Sequence, residues 1–418
     1  MNLLTLVFLA GLAAGAALQL WLGWRNMAHV RAHRSHVPEV FRDDVPLAQH
    51  QKAADYTLAN GRLAAAAVVA NGLVLAGLSL GGGLVLLDRA WRDLALTPLA
   101  TGLGVVISAG LIMAVLRSAF SAYRVFVVEQ RFGFNRASPA LFMVDTAKRG
   151  LIAMAIAVPL GGLVLWLMAA AGPLWWLWVW ALWTGFLIVR TWAYPGFIAP
   201  LFNSFTPLRD SVLKARIEGL AARCGFAVGD IQVMDASRRS GHGNAYFAGL
   251  GASKRVVLYD TLLEALEAGE IEAVLAHELG HYRRRHAGKH LALVSLVRLA
   301  GLALLAWLVP QPWFYAGLGM DPPSNHAAIA LFAILVSAFW IFLRPLGAMV
   351  LREFEFEADA FAAAHGNGRT LIPALIKLHR NNATSLTPEP LYSTFFHSHP
   401  PLAARMRHLS GADGTPAG

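Results

Sequence analysis

Seven stretches of the chain stay apolar for long enough to cross roughly 30 Å of hydrocarbon. They are Leu3 to Trp24, Leu63 to Leu87, Leu96 to Leu116, Leu151 to Ala171, Leu174 to Val189, Leu291 to Val309 and Ala327 to Leu343. The fifth is short, but Trp175, Trp176, Trp178, Trp180 and Trp183 suit a headgroup belt. Between the fifth and sixth stretches the pattern becomes that of a water-soluble fold. Ser211 to Ala222 reads as an amphipathic helix, Ile231 to Met234 as a strand, and Ala245 to Leu250 with Arg255 to Tyr259 as two strands joined by a Gly251-Ala252-Ser253 turn. Asp260 is expected to cap a helix ending at Gly269, and a second helix is expected to begin at Glu270. After the seventh stretch, Glu353, Glu355, Glu357 and Asp359 crowd a further predicted helix running toward His365. Its Ala358, Ala360 and Ala362 to Ala364 permit close helix packing.

The pattern predicts a mostly α-helical multi-pass membrane protein with a small α+β unit inserted between spans. The expected divisions are residues 1–190 with spans one to five, the insertion 191–290, spans six and seven over 291–343, and C-terminal helices over 344–418. Composition agrees: 56% of residues are hydrophobic and only 14% charged, with a mean hydropathy of +0.51, outside the range of soluble domains. The net charge of +10 does not make this a nucleic-acid binder, because the basic residues lie between apolar segments rather than in one stripe. Lys and Arg concentrate in alternate loops, six from Arg25 to Arg62 and six from Arg117 to Arg149, against two between spans two and three. That asymmetry predicts an outside N-terminus and a cytoplasmic insertion. The first span reads as a retained anchor rather than a signal peptide, since it lacks a basic leader segment. Arg298 is the one charge deep in a span, and it is expected to face a wet cavity or a partner carboxylate.

With a single cysteine, Cys224, there is no Cys-rich metal site to build, so any metal must be held by His and carboxylates. His277-Glu278-Leu279-Gly280-His281 supplies the first two ligands. On a helix the i, i+4 spacing puts both imidazoles on one face, about 6 Å apart, where they can share one zinc ion. Glu278 would then accept a proton from a water that the zinc polarises. A hydrolytic zinc usually takes three protein ligands. The third is expected from the Glu353 to Asp359 helix, and spacing alone does not choose among its carboxylates. Arg283, Arg284, Arg285, His286 and His290 are assigned to the phospholipid headgroup region. Near the C-terminus, His397 and His399 sit on a turn stiffened by Pro400 and Pro401, with Arg405 beyond, and the turn could be aimed at the site.

These residues resemble a known family. The blocks Ile198 to Asn203, Ser237 to Phe247, Val274 to His281, Phe354 to Ala360 and Ser398 to Pro401 are similar, in order, to signatures of the type I CAAX prenyl proteases, integral-membrane zinc metallopeptidases. The likeness extends to Lys52 to Leu58 and Glu129 to Asn135. The resemblance implies seven helices around an intramembrane chamber with one zinc per chain at its cytoplasmic end. It implies Glu355 as the third ligand, with Asp359 orienting a zinc-bound histidine. It also implies His399 and Arg405 as oxyanion stabilisers, and Asn244 and Ala245 on a strand that pairs with the substrate backbone. Glu357 stands where eukaryotic members often carry glutamine. The Arg- and Ala-rich composition points to a bacterial inner membrane. The expected substrates are peptides or membrane-associated proteins, prenylated or not. A seven-span transporter or receptor is the competing reading, and it leaves the soluble insertion and the acidic helix without a purpose. An intramembrane-cleaving protease is a second competitor, opposed by Glu270, Glu272 and the three arginines beside the motif.

Overall fold

The computed structural model describes residues 2–226, 228–248, 255–366 and 368–412. In chain order the membrane helices are α1 (Leu3–Ala32), α2 (Leu47–Leu78), the short α3 (Gly83–Arg92), α4 (Pro98–Phe132), α5 (Pro139–Ala170) and α6 (Gly172–Leu201). The inserted lobe carries α7 (Ser211–Arg223), α8 (Asp260–Ala265) and α9 (Ala268–Arg283). Then follow α10 (His286–Leu308), α11 (Pro312–Gly317), α12 (Asn325–His365), α13 (Gly368–Asn381), α14 (Pro390–Phe396) and α15 (Leu402–Ala412). Seven of these, α1, α2, α4, α5, α6, α10 and α12, are long and apolar enough to span a bilayer. Polar caps set several starts. The hydroxyls of Thr97, Ser138 and Ser324 accept the N–H of Ala100, Leu141 and Ala327, and a proline occupies the first turn of α4 and α5.

Three elements differ from the expectation. The second span runs over Leu47–Leu78 rather than Leu63 to Leu87, because the chain turns at Ser79 to Gly83, where Gly82 takes φ +77°. That left-handed conformation suits glycine, so the apolar run is split between α2 and the separate α3. The seventh span and the acidic stretch form one helix of 41 residues that continues through Pro345. Arg298 has no partner carboxylate among the described residues. Its guanidinium lies over the Trp183 ring, 4.9 Å from the centroid.

The lobe's sheet has four strands in the order β1 (Phe205–Pro207), β2 (Asp230–Met234), β4 (Arg255–Tyr259) and β3 (Ala245–Ala248). β2 and β4 are parallel, with Ile231 opposite Val256, and the outer pairs are antiparallel. Val256, Val257 and Leu258 are fully buried, so β4 is the strand around which the lobe packs. β3 lies at the edge. The expected Gly251-Ala252-Ser253 turn and the end of its first strand lie outside the described residues. Asp260 is the first residue of α8 rather than the residue before it, and its carboxylate accepts the N–H of both Ser237 and Thr261. α8 stops at Ala265, short of Gly269, and the next helix is capped by a reciprocal pair, Glu267 with Glu270.

Candidate active site

Helix α9 is buried on nearly every side, with Leu275 and Ala276 inaccessible and Ile271 and Leu279 almost so. It lies against α12 on one side and α13 on another. What lets α9 and α12 approach is Gly280, since a Cβ there would stand 2.9 Å from Ala358 Cα and 3.1 Å from Phe361 Cβ. Ala358, fully buried, is the matching small residue on α12. The contact fixes the register, bringing Glu355, one turn before Ala358, opposite His277 and His281. Glu353 is exposed, and Glu357 points toward α10.

Three candidate ligand side chains converge. His277 Nε2 and His281 Nε2 are 3.2 Å apart, and the Glu355 carboxylate faces both, Oε2 at 3.6 Å from His277 Nε2 and Oε1 at 3.4 Å from His281 Nε2. Ligands about 2.1 Å from a shared ion at tetrahedral angles stand about 3.4 Å from one another, so this triangle has the size a metal needs. Glu355 is buried, and its Oε2 has no hydrogen bond of good geometry, although His399 Nδ1 lies 2.8 Å away. Burial works against a charge on His277, yet the neighbouring Asp359 and Glu355 carboxylates more than offset it and raise that imidazole to about 9. The pocket is built to hold positive charge.

Two imidazoles and a carboxylate at this spacing could hold one metal ion, the arrangement expected of a metalloprotease. The family models agree with that reading over nearly the whole chain. Residues 26–204 match the CAAX prenyl protease N-terminal domain with its five membrane helices, and residues 207–413 match peptidase family M48. The chain is 35% identical over 295 residues to the CAAX prenyl protease 1 homolog of Arabidopsis thaliana, covering 70% of each. It is 30% identical to the Caenorhabditis elegans homolog over 96% of both chains.

The chain belongs to peptidase family M48.

The crystal structure of Ste24p from S. mikatae superposes with a TM-score of 0.90 at 28% identity, covering 98% of this chain and 99% of that one. This M48 member is therefore a multi-pass membrane metallopeptidase, and the transporter and receptor readings have no support. M48 membership implies a metal, and the triangle of His277, His281 and Glu355 fits one.

Around that triangle the M48 fold arranges the remaining residues singled out in the sequence. Asp359, with no accessible surface, holds His277 Nδ1 at 2.8 Å. Arg405, also buried, donates two hydrogen bonds to the same carboxylate, from Nε at 2.8 Å and Nη2 at 2.6 Å, and its Nη1 is 3.7 Å from Glu355. A buried pair of this kind is costly to halve, about 3–5 kcal/mol when one partner is removed. Glu278 lines the same cavity, its carboxyl pushed up by burial and pulled back in part by His277 and His281. His399 is 68% exposed, on the open side. Asn244 and Ala245 stand at the start of the edge strand, and Asn244 shares the cavity wall. His397 also lines the cavity, its Nδ1 3.1 Å from Ser393 Oγ, and burial lowers its basicity.

Two features escaped the sequence. His286, assigned there to headgroups, is only 4% exposed and touches His281. A five-residue offset does not share a helix face, and the contact arises because Arg285 adopts φ +55° and redirects the chain between α9 and α10. Arg352, one turn before Glu355, donates from one nitrogen to the carbonyls of Ser393, Thr394 and His397, capping the C-terminal end of α14 and fixing the loop that carries His399. At the other end of α14, Glu389 accepts the Tyr392 N–H at 2.6 Å and pairs with Arg25 of α1.

The site cavity, about 410 Å³, adjoins one of about 650 Å³ among α1, α2, α4 and α14. The two share a wall made by Asn382, Thr384, Ser385, Pro388, Phe396 and His397. Leu20, Leu63, Val68 and Phe120 give the larger cavity an apolar side, while Gln19, Asn60 and Arg124 give it a polar one.

Proposed function

We propose that this chain is a zinc endopeptidase that uses His277, His281 and Glu355 as ligands and cuts peptide tails delivered from the membrane. The observation that carries the reading is the ligand triangle of 3.2 to 3.6 Å with Glu278 on the wall of the same cavity. Zinc supplies Lewis acidity toward water and the scissile carbonyl. Glu278, made more basic by burial, accepts the proton of the attacking water and returns it to the leaving amine. His399 and Arg405 stabilise the oxyanion, Arg405 through Nη1 and its charge, since its other donors are held by Asp359. The free edge of β3 at Asn244 and Ala245 takes the substrate backbone as an added strand.

The relatives' names point to CAAX-type substrates, and the larger cavity, part apolar and part polar, suits a lipidated C-terminal tail. Turnover of unmodified membrane-associated peptides is the other use of the same site. We place the N-terminus outside and the active site on the cytoplasmic face of a bacterial inner membrane, following the Lys and Arg asymmetry of the loops. The division into residues 1–190, 191–290, 291–343 and 344–418 follows the same reading, with the inserted lobe and C-terminal helices as the catalytic parts.

The test is Glu278→Ala in purified protein, with zinc measured beside cleavage of a farnesylated CAAX peptide and its unmodified twin. Zinc at one per chain with both cleavages lost is the expected outcome. A variant that still cuts refutes the role of Glu278, and equal wild-type cutting of both peptides moves the substrate from prenylated tails to general peptide turnover.

A further inference from the structure

The two histidines of the triangle both turn Nε2 inward, so each must carry its proton on Nδ1 to leave the inner lone pair free. For His277 the Nδ1 partner is Asp359. For His281 it is not a carboxylate but another imidazole. His281 Nδ1 is 2.9 Å from His286 Nδ1, and His286 Nε2 is 3.0 Å from Glu357 Oε2.

Only one arrangement of protons satisfies every atom in that row. His281 Nδ1–H donates to the lone pair on His286 Nδ1, which leaves the single proton of a neutral His286 on Nε2, where it donates to the Glu357 carboxylate. Lys289 Nζ stands 3.5 Å from the same carboxylate oxygen. The His286 ring cannot drift, because it is stacked on Phe354 with centroids 4.3 Å apart and an interplanar angle of 6°. Phe354 adjoins Glu355, so the same stretch of α12 anchors the relay and supplies the third ligand.

We infer that His286 and Glu357 are positioning residues that set the tautomer and orientation of His281 toward the metal, a longer counterpart of what Asp359 does for His277. The inference rests on the reading of His277, His281 and Glu355 as ligands. Loss of a hydrogen-bonded partner behind a ligand histidine typically weakens metal binding 10–100-fold.

The experiment measures the zinc Kd of the full-length protein in detergent by competition with a fluorescent chelator, together with kcat and KM at saturating zinc. The set is wild type, His281→Ala, His286→Ala, Glu357→Gln and the exposed neighbour His290→Ala. Expected are loss of tight binding in His281→Ala and a Kd raised 10–100-fold in His286→Ala. Glu357→Gln, which keeps an acceptor oxygen but not its charge, should raise Kd about two- to tenfold, less than His286→Ala, and His290→Ala should not shift it. Excess zinc should restore most of the kcat of His286→Ala. If His281→Ala binds zinc like wild type, the ligand reading itself fails. If His281→Ala loses zinc while His286→Ala and Glu357→Gln keep the wild-type Kd, the relay is overturned and the ligand reading stands. Should His286→Ala not fold, Glu357→Gln decides alone, an unchanged Kd counting against the relay.

Discussion

Gly280 sits inside the metal motif yet carries no chemistry, and a single methyl group there tests the packing on which the site depends. In Gly280→Ala the added Cβ lies 2.9 Å from Ala358 Cα, 3.1 Å from Ala358 O and 3.1 Å from Phe361 Cβ. Two of these three atoms are backbone, so no side chain can swing aside. Carbon atoms are comfortable at about 3.5–4.0 Å, and the seam between α9 and α12 must open by roughly 0.5–1 Å. Helix propensity favours alanine by up to about 1 kcal/mol, whereas overpacking a tight contact costs about 1–3 kcal/mol. The net is a protein destabilised by up to about 2 kcal/mol. The effect on the metal is larger in proportion, since Glu355 rides on α12 one turn from the clash and ligand distances tolerate only about ±0.2 Å. Zinc Kd should rise at least tenfold, with Tm lowered and cleavage recovering only in part on adding zinc. Gly347→Ala is the control, on α12 with open space around its Cβ. The assay is chelator competition with thermal unfolding in the same detergent. If Gly280→Ala matches Gly347→Ala in both Kd and Tm, the close helix approach does not set the ligand geometry and the reasoning is wrong.

Other outcomes follow from the same geometry. Asp359→Asn keeps a hydrogen bond to His277 but removes the charge that answers Arg405, so zinc Kd should rise 10–100-fold, and unchanged affinity would remove Asp359 from that role. Arg352→Met takes the cap from α14 and loosens the His399 loop, and it should lower kcat several-fold with zinc content intact; a fall in zinc content instead would make Arg352 a support for Glu355. Burial lowers His379 from 6.5 to about 4. Its folded value lies below the unfolded one, so the stability that comes from keeping it neutral is complete above pH 6.5 and drains away as pH falls toward 4. The slope approaches 1.4 kcal/mol per pH unit and the total about 3 kcal/mol. His379→Gln should flatten the fall of Tm between pH 7 and 5, and an unchanged pH profile would show that His379 does not set it.

Much of the architecture is legible locally. An apolar run of span length is a property of consecutive residues, and so is the i, i+4 pair of His277 and His281, so the seven spans and the motif could be read without a fold. The strands Ile231 to Met234 and Arg255 to Tyr259 were legible for the same reason. What could not be read depends on how elements meet. Glu353, Glu355, Glu357 and Asp359 are interchangeable by spacing, and only the register set by Gly280 against Ala358 turns Glu355 toward the histidines. The resemblance named Glu355 by analogy, without that physical reason. The seventh span and the acidic stretch were expected as separate helices, yet α12 runs through Pro345 and joins them. A proline removes one backbone donor, a loss a membrane helix tolerates when its neighbours hold it. His286 was misread because its contact runs through a left-handed residue between two helices, which no periodicity reports. Arg298 was expected to face a wet cavity or a carboxylate, and of the two the described residues offer no acid, only the face of the Trp183 indole.

Helix α12 also acts as a ruler. It is one unbroken helix from Asn325 to His365, and at 1.5 Å per residue Glu355 lies about 18 Å along it beyond Leu343, where the apolar run ends. If the bilayer surface lies at the end of that apolar run and the substrate is a lipidated tail, as proposed, a lipid beside the scissile bond would have to leave the acyl chains and enter the protein while that bond is cut. A substrate anchored by a span of its own must instead present a slack tether, about five extended residues long at ~3.3 Å each, to reach the same point. Tether length, more than sequence, would then separate what this enzyme can cut from what it cannot.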